Sequence, residues 1–196
     1  IGYEFYYSLI DSSTLVPQRR VRCYMICVRK DIAKEFGEFV FPEFSGNPIP
    51  LSSIVEKNPD PMYTISDKLW LGHQKRTARN IKRGVGFTAF TANLDKPSNT
   101  IVSRYYKDGK ECLIPQNHIG NPRLLTIEEC IKLFGYNRST TPFLHAPSRT
   151  ASYRQFGNSV VVPVIYKIAK EAVNQYLVAS SRSTNKTKPI SARAAA

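Results

Sequence analysis

Arg154-Gln155-Phe156-Gly157-Asn158-Ser159-Val160-Val161-Val162-Pro163-Val164 is the stretch on which the reading of this chain turns. A glycine and two small polar residues run directly into a valine cluster that contains a proline. Pro163 lacks an N–H and has a preset φ, so it suits the first turn of a helix. Asn158 or Ser159 is expected to cap that helix. Val161, Ile165, Ile168, Ala169, Ala172, Val173 and Tyr176 follow at helical spacing and predict one apolar face, with the helix ending near Ala179. The same Gly-Asn-Ser turn leaves backbone N–H groups and small side chains available to line a ligand pocket.

Upstream, Gly2 to Ile10 is rich in aromatic and β-forming residues and reads as a strand. Asp11 to Pro17 is a polar loop. Val21 to Val28 is a second, mostly apolar strand of the kind buried on both faces of a sheet. Cys23 and Cys27 share one face of it and are expected in a reduced core. Composition shifts near Phe41, and prolines and polar residues dominate from Pro42 to Pro61. Thr64 or Ser66 can cap a helix that runs to about Arg83, with Gly84 as its stop. Gly84 to Val102 reads as short strands and loops. Tyr105 to Lys110 reads as a strand entering a turn at Asp108-Gly109, with Glu111 to Ile114 as its return. Thr126 and Glu129 make a capping box, and Gly135 closes a short helix. Arg138 to Ser152 reads as a loop. Residues 180–196 are rich in Ser, Thr and Lys, lack an apolar face and are expected to be disordered.

The 196 residues carry a formal net charge of +13, a balance that favours a polyanionic partner. A hydrophobic content of 42% permits a core. No apolar run has membrane-spanning length and no signal peptide is present, so no membrane role is expected. The four cysteines, Cys23, Cys27, Cys112 and Cys130, contain no short metal-type pair and predict no metal site. The helix expected over residues 66–83 carries Lys68, Lys75, Arg76, Arg79, Lys82 and Arg83 against one acid, Asp67. Lys75, Arg79, Lys82 and Arg83 share a face. Alone, such a face is merely solvated; beside Arg104, Lys107 and Lys110 in so basic a chain it points to phosphate contact. Leu69, Trp70 and Ile81 are expected to pack the lobe, with His73 structural.

Three segments, in order, resemble signature motifs of the DNA (cytosine-5) methyltransferases. Pro17-Gln18-Arg19-Arg20-Val21-Arg22 is similar to the family's Gln-x-Arg-x-Arg motif. Arg123-Leu124-Leu125-Thr126-Ile127-Glu128-Glu129, continuing to Leu133-Phe134-Gly135-Tyr136, resembles the motif that holds the target-recognition domain. The Arg154–Val164 stretch resembles the last motif, which helps wall the S-adenosylmethionine pocket. Segments 63–70 and 103–110 are similar to recognition-domain segments of the bacterial enzymes. Asn137 stands where the family usually has proline. The family's glycine-rich cofactor loop, Pro-Cys nucleophile and Glu-Asn-Val acid do not occur in this sequence, and no cysteine follows a proline. The chain also begins at Ile1. It is therefore expected to be the C-terminal portion of such an enzyme, a fragment or the second polypeptide of a split one, inactive alone.

The resemblance implies an α/β fold: the C-terminal part of a doubly wound, Rossmann-like methyltransferase sheet plus a small DNA-recognition lobe. Residues 1–41 would end the catalytic domain, 42–122 form the target-recognition domain, and 123–179 carry the last motifs and a helix that packs back. It also implies the site. Arg22 would contact a flipped cytosine, whose O2 and N3 accept the fixed donors of a guanidinium, and Arg20 would organise that catalytic centre. Gln18 would orient the loop and Arg123 would be a buried anchor. Asn158, Ser159 and Val160 would bind the cofactor, S-adenosylmethionine. Lys75, Arg76, Arg79, Lys82, Arg83, Thr100, Arg104 and Lys107 would meet duplex DNA. The implied partners are DNA and an N-terminal catalytic part, in cis or as a separate subunit, in the bacterial cytoplasm at the nucleoid. A non-catalytic DNA-binding subunit would keep the basic lobe but need not keep Gln18, Arg22 and Asn158 together. An RNA cytosine methyltransferase is a second alternative, against which the bacterial-type recognition region speaks.

Overall fold

The computed structural model describes residues 2–84, 89, 91–116, 120–137, 139 and 148–178. The expected tail from Ser180, and most of the loop expected over Arg138 to Ser152, lie outside them. Two compact units are present. One comprises Ile1–Ile10, Arg22–Glu43 and Ile165–Ala196; the other comprises Asp11–Val21 and Phe44–Val164.

In the first unit β1 (Tyr3–Asp11) pairs with β2 (Val21–Arg29) in a two-stranded sheet. Both strands match the aromatic and β-branched runs that predicted them. The helix α1 (Lys30–Phe36) follows at once and ends at Gly37, whose φ of 86° is open to glycine. Tyr176 is buried, stacks on Phe39 at 6.2 Å and donates its hydroxyl to the Gly37 carbonyl at 3.1 Å. Side chains alternate across a strand. One alternate set, Ile10 and Val28 with Tyr6, Ser8, Tyr24 and Ile26, is buried or half-buried. The other, Tyr3, Phe5, Tyr7, Leu9, Cys23, Met25 and Cys27, is exposed. The expectation that β2 is buried on both faces, with its two cysteines in a core, is thus corrected. The apolar pattern of β1 and β2 is written for two covering layers, and the described residues leave one face open.

The second unit holds the helices from Asp67 to Asn158, while the last helix begins in it and runs into the first unit at Ile165. α2 (Asp67–Arg83) runs as expected: Ser66 Oγ accepts the Leu69 N–H at 3.3 Å, and Gly84 ends the helix with a φ of 61°. His73 is buried with Nε2 3.0 Å from the Asp108 carbonyl, a structural role. Leu69 and Trp70 are half-buried, whereas Ile81 is exposed and does not pack. The strand expected from Tyr105 is instead a single helical turn, α3 (Tyr105–Asp108). Its reason is the Tyr105 hydroxyl, which donates to the Cys112 carbonyl at 2.5 Å and accepts the Leu125 N–H at 2.9 Å. Tertiary partners here override β-propensity. The return strand shrinks to isolated bridges, Thr91 with Leu113 and Ile114 with Arg123.

The helix α4 (Ile127–Leu133) carries the expected capping box between Thr126 and Glu129. Gly135 follows with a φ of 72°, where a Cβ would lie 2.4 Å from Pro163 Cδ. A further helix, α5 (Arg149–Asn158), begins inside the span read as loop, capped by Ser148 Oγ, which accepts the Ala151 N–H at 3.2 Å. This overturns the capping assignment. Asn158 is the last residue of α5 and Ser159 its C-cap, so neither caps α6 (Val162–Ala172). Pro163 does sit in the first turn of α6, which continues as a π-helical turn over Val173–Val178. Val161, Val164, Ile168 and Tyr176 are buried, while Ile165, Ala169 and Val173, expected on the apolar face, are exposed. Among the described residues no helix is long and apolar enough to cross a membrane, and no cluster of side chains could hold a metal ion.

Candidate functional site

The segment after the first loop is built around two buried side chains of the second unit. Gln18 Oε1 accepts the Ile101 N–H at 3.0 Å, and Gln18 Nε2 donates to the Leu133 carbonyl at 3.4 Å. Arg20 is 5% exposed. Its Nη1 donates to the Ile101 carbonyl at 2.9 Å; its Nη2 donates to the Gly157 carbonyl at 3.1 Å and the Ser159 carbonyl at 2.9 Å. The guanidinium also lies over the Phe134 ring, 5.4 Å from its centroid. Gln18 and Arg20 together hold both backbone polar groups of Ile101, while Thr100 Oγ1 donates to the Arg19 carbonyl at 2.8 Å. Three carbonyl dipoles offset the desolvation of the buried guanidinium. Arg20 precedes β2, outside the strand that carries Arg22. Arg22 is exposed on β2, in the first unit.

A cavity of about 450 Å³ opens beside this cluster, lined by Tyr136, Arg154, Gln155, Phe156, Asn158 and Ser159. The Tyr136 hydroxyl lies 2.6 Å from Ser159 Oγ, and its ring meets Phe156 edge-on at 6.4 Å. Asn158 and Ser159 line one cavity; Val160, half exposed, does not. Tyr136 and Phe156 were missed as lining residues. Both stood inside the quoted motifs, but nothing local signals that Tyr136 faces Ser159.

Arg123 is buried and makes a two-pronged ion pair with Glu129, at 2.8 and 2.7 Å, plus a bond to the Leu124 carbonyl at 3.0 Å. Glu129 also accepts the Thr126 N–H and the Glu56 N–H, each at 2.8 Å. The capping-box acid is thus the partner of the anchor arginine. Removing either member strands a buried charge, at a cost of about 3–5 kcal/mol. Burial pushes the Cys112 thiol up to about 12 and raises Cys130 well above its ordinary value, so neither forms a thiolate at neutral pH.

On α2, Lys75, Arg76, Arg79, Lys82 and Arg83 are all exposed, as are Arg104 and Lys107. Arg76 Nη1 lies 3.8 Å from Asp108 Oδ2. Thr100 is half-buried, beside the Gln18–Arg20 cluster.

The sequence profile of the C-5 cytosine-specific DNA methylases matches residues 1–174. The chain is 39% identical over 176 residues to the type II methyltransferase M.SsoII of Shigella sonnei, covering 89% of this chain and 45% of that protein. It is 41% identical over 173 residues to the type II methyltransferase M.NlaX of Neisseria lactamica, covering 87% and 52%. It spans about half the length of these curated relatives. A crystal structure of a DNMT2 mutant from Spodoptera frugiperda superimposes with a TM-score of 0.64 at 22% identity, over 87% of this chain and 58% of that one. That likeness shows the fold, an α/β methyltransferase fold.

Proposed function

Because the chain belongs to the C-5 cytosine-specific DNA methylase family, we propose that it forms the C-terminal portion of a DNA (cytosine-5) methyltransferase. It contributes duplex recognition, part of the cytosine pocket and part of the S-adenosylmethionine pocket. The observation that carries this reading is the Arg20 cluster, where the Gln-x-Arg-x-Arg segment, Thr100-Ile101 and the Gly157–Ser159 turn meet.

The cavity beside that turn lies within the range of about 300–1,000 Å³ of small-molecule sites. Its aromatic rings suit an adenine, and the Asn158 amide and Ser159 hydroxyl suit a ribose or amino-acid group. S-adenosylmethionine supplies an electrophilic methyl group when bound. Tyr136, Phe156, Asn158 and Ser159 would hold it. Arg22 offers fixed donors to the extruded base, while Arg20 and Gln18 hold Thr100-Ile101 in place. In the region 42–122, α2 with Arg104 and Lys107 neutralises phosphates. Cys112 and Cys130 are buried and un-ionised, and Cys23 and Cys27 sit on a sheet face. The thiolate that attacks the base is therefore assigned to a part of the enzyme outside this chain, in cis or as a partner subunit. The open apolar face of β1 and β2 is the surface that part would cover.

The test is transfer of a tritiated methyl group to duplex DNA. The chain alone is expected to give none, and activity above a no-protein control would overturn the assignment of the nucleophile. In the complete enzyme, Arg22→Ala should lower the single-turnover rate per folded molecule ten- to a hundredfold, from about 1.5–3 kcal/mol of lost hydrogen bonding. A destabilised variant with wild-type turnover would remove Arg22 from the site.

A further inference from the structure

We infer that Gly157 is a positioning residue for methyl transfer, which sets the distance between the Asn158–Ser159 cavity and the Thr100–Ser103 segment by direct backbone contact. The inference rests on the reading of that cavity as the cofactor side and of Thr100 as the DNA side. Gly157 lies in the last turn of α5 and has no positive φ, so its conformation does not demand glycine. Its surroundings do. A Cβ at this position would lie 2.1 Å from the Ser103 nitrogen, 2.2 Å from the Val102 carbonyl carbon and 2.4 Å from Ser103 Cα. All three are backbone atoms, and no rotamer change relieves them. Ordinary contact would require the two segments to part by on the order of 1 Å.

Arg20 closes the same joint from the other side. One guanidinium bonds the Gly157 and Ser159 carbonyls on the α5 side and the Ile101 carbonyl on the other. Thr100, the neighbour of Ile101, is fixed to the Arg19 carbonyl. The cavity and the Thr100–Ser103 segment are therefore joined by a direct backbone contact and by a buried guanidinium. Methyl transfer needs its reacting atoms about 3–3.5 Å apart, and a 1 Å misplacement made far from the chemistry costs about a hundredfold. Gly157 holds that spacing without touching either ligand.

The experiment is Gly157→Ala in the complete enzyme, with Arg20→Lys as a second variant that keeps the charge but loses the planar fork. Turnover is measured at saturating DNA and S-adenosylmethionine and expressed per folded molecule, from the amplitude of the melting transition. Affinities for duplex DNA and S-adenosylhomocysteine are measured separately. Gly157→Ala is expected to lower kcat about a hundredfold with both affinities held within about threefold. Arg20→Lys should show the same split, smaller in size. Unchanged turnover per folded molecule, or a loss confined to KM, overturns the inference alone. A wild-type enzyme that does not bind S-adenosylhomocysteine overturns the reading of the cavity beneath it.

Discussion

Glu111 keeps one carboxylate oxygen out of water, without a hydrogen-bond partner among the described residues. Burial raises its pKa, with Asp108 adding to the effect. The folded state therefore holds this proton more tightly than the unfolded state does. Stability from this group is complete below the unfolded value of about 4.3 and is lost as pH rises through the folded one. Glu111→Gln is expected to raise the melting temperature at pH 7–8, and the gain should shrink toward pH 4. A gain that is constant across that range would show that the carboxylate is not the cause. Gly157 makes the complementary point: the sequence presented it as part of a turn that lines a pocket, and the structure uses its missing side chain for close backbone approach.

The helix α2 shows what an element can be read for. Its extent to Arg83 and its Gly84 stop followed from local chemistry, because caps act within one turn, and of the two candidate caps, Thr64 and Ser66, the structure uses Ser66. Its basic face is exposed along its length. Replacing Arg79 and Arg83 together by alanine in the complete enzyme should flatten the log–log salt dependence of DNA binding by up to about two units. An unchanged slope in a salt titration would reduce the face to a solvated one. Arg76, held near Asp108, is the less available of these cations. The junction between α5 and α6 was read wrongly, because Gly-Asn-Ser serves as well to end a helix as to start one. Only the Ser148 cap and the contacts of Tyr153 and Phe156 decide which.

For the molecule as a whole, the open face of β1 and β2 sets the expectation. Cys23 and Cys27 are exposed on it, and Cys112 and Cys130 are buried with raised pKa values. Iodoacetamide at neutral pH should modify the first two in the isolated chain and spare the others. On the proposed reading, in which the remaining part of the enzyme covers this face, Cys23 and Cys27 should be protected in the complete enzyme. Peptide mapping that finds them labelled equally fast in both would remove that face from the interface.

By itself the sequence determined the two strands, α2, the capping box of α4 and the residue types of the site. Each rests on periodicity or on bonds that close within a few residues. The motif resemblance supplied Gln18, Arg20, Arg123, Asn158 and Ser159 as positions to watch. The tertiary structure decided what those residues do. Gln18 reaches Ile101 across 83 positions, Arg20 reaches Ser159 across 139, and Tyr136 meets Ser159 across 23. Arg123 lies close to its partner in sequence, yet its burial could not be read locally. The tertiary structure also turned an aromatic run into α3 and shifted the buried stripe of α6. Local pattern fixes which conformations are cheap, whereas burial of a charge, a hydroxyl or a bare backbone is settled by whatever the rest of the chain brings against it.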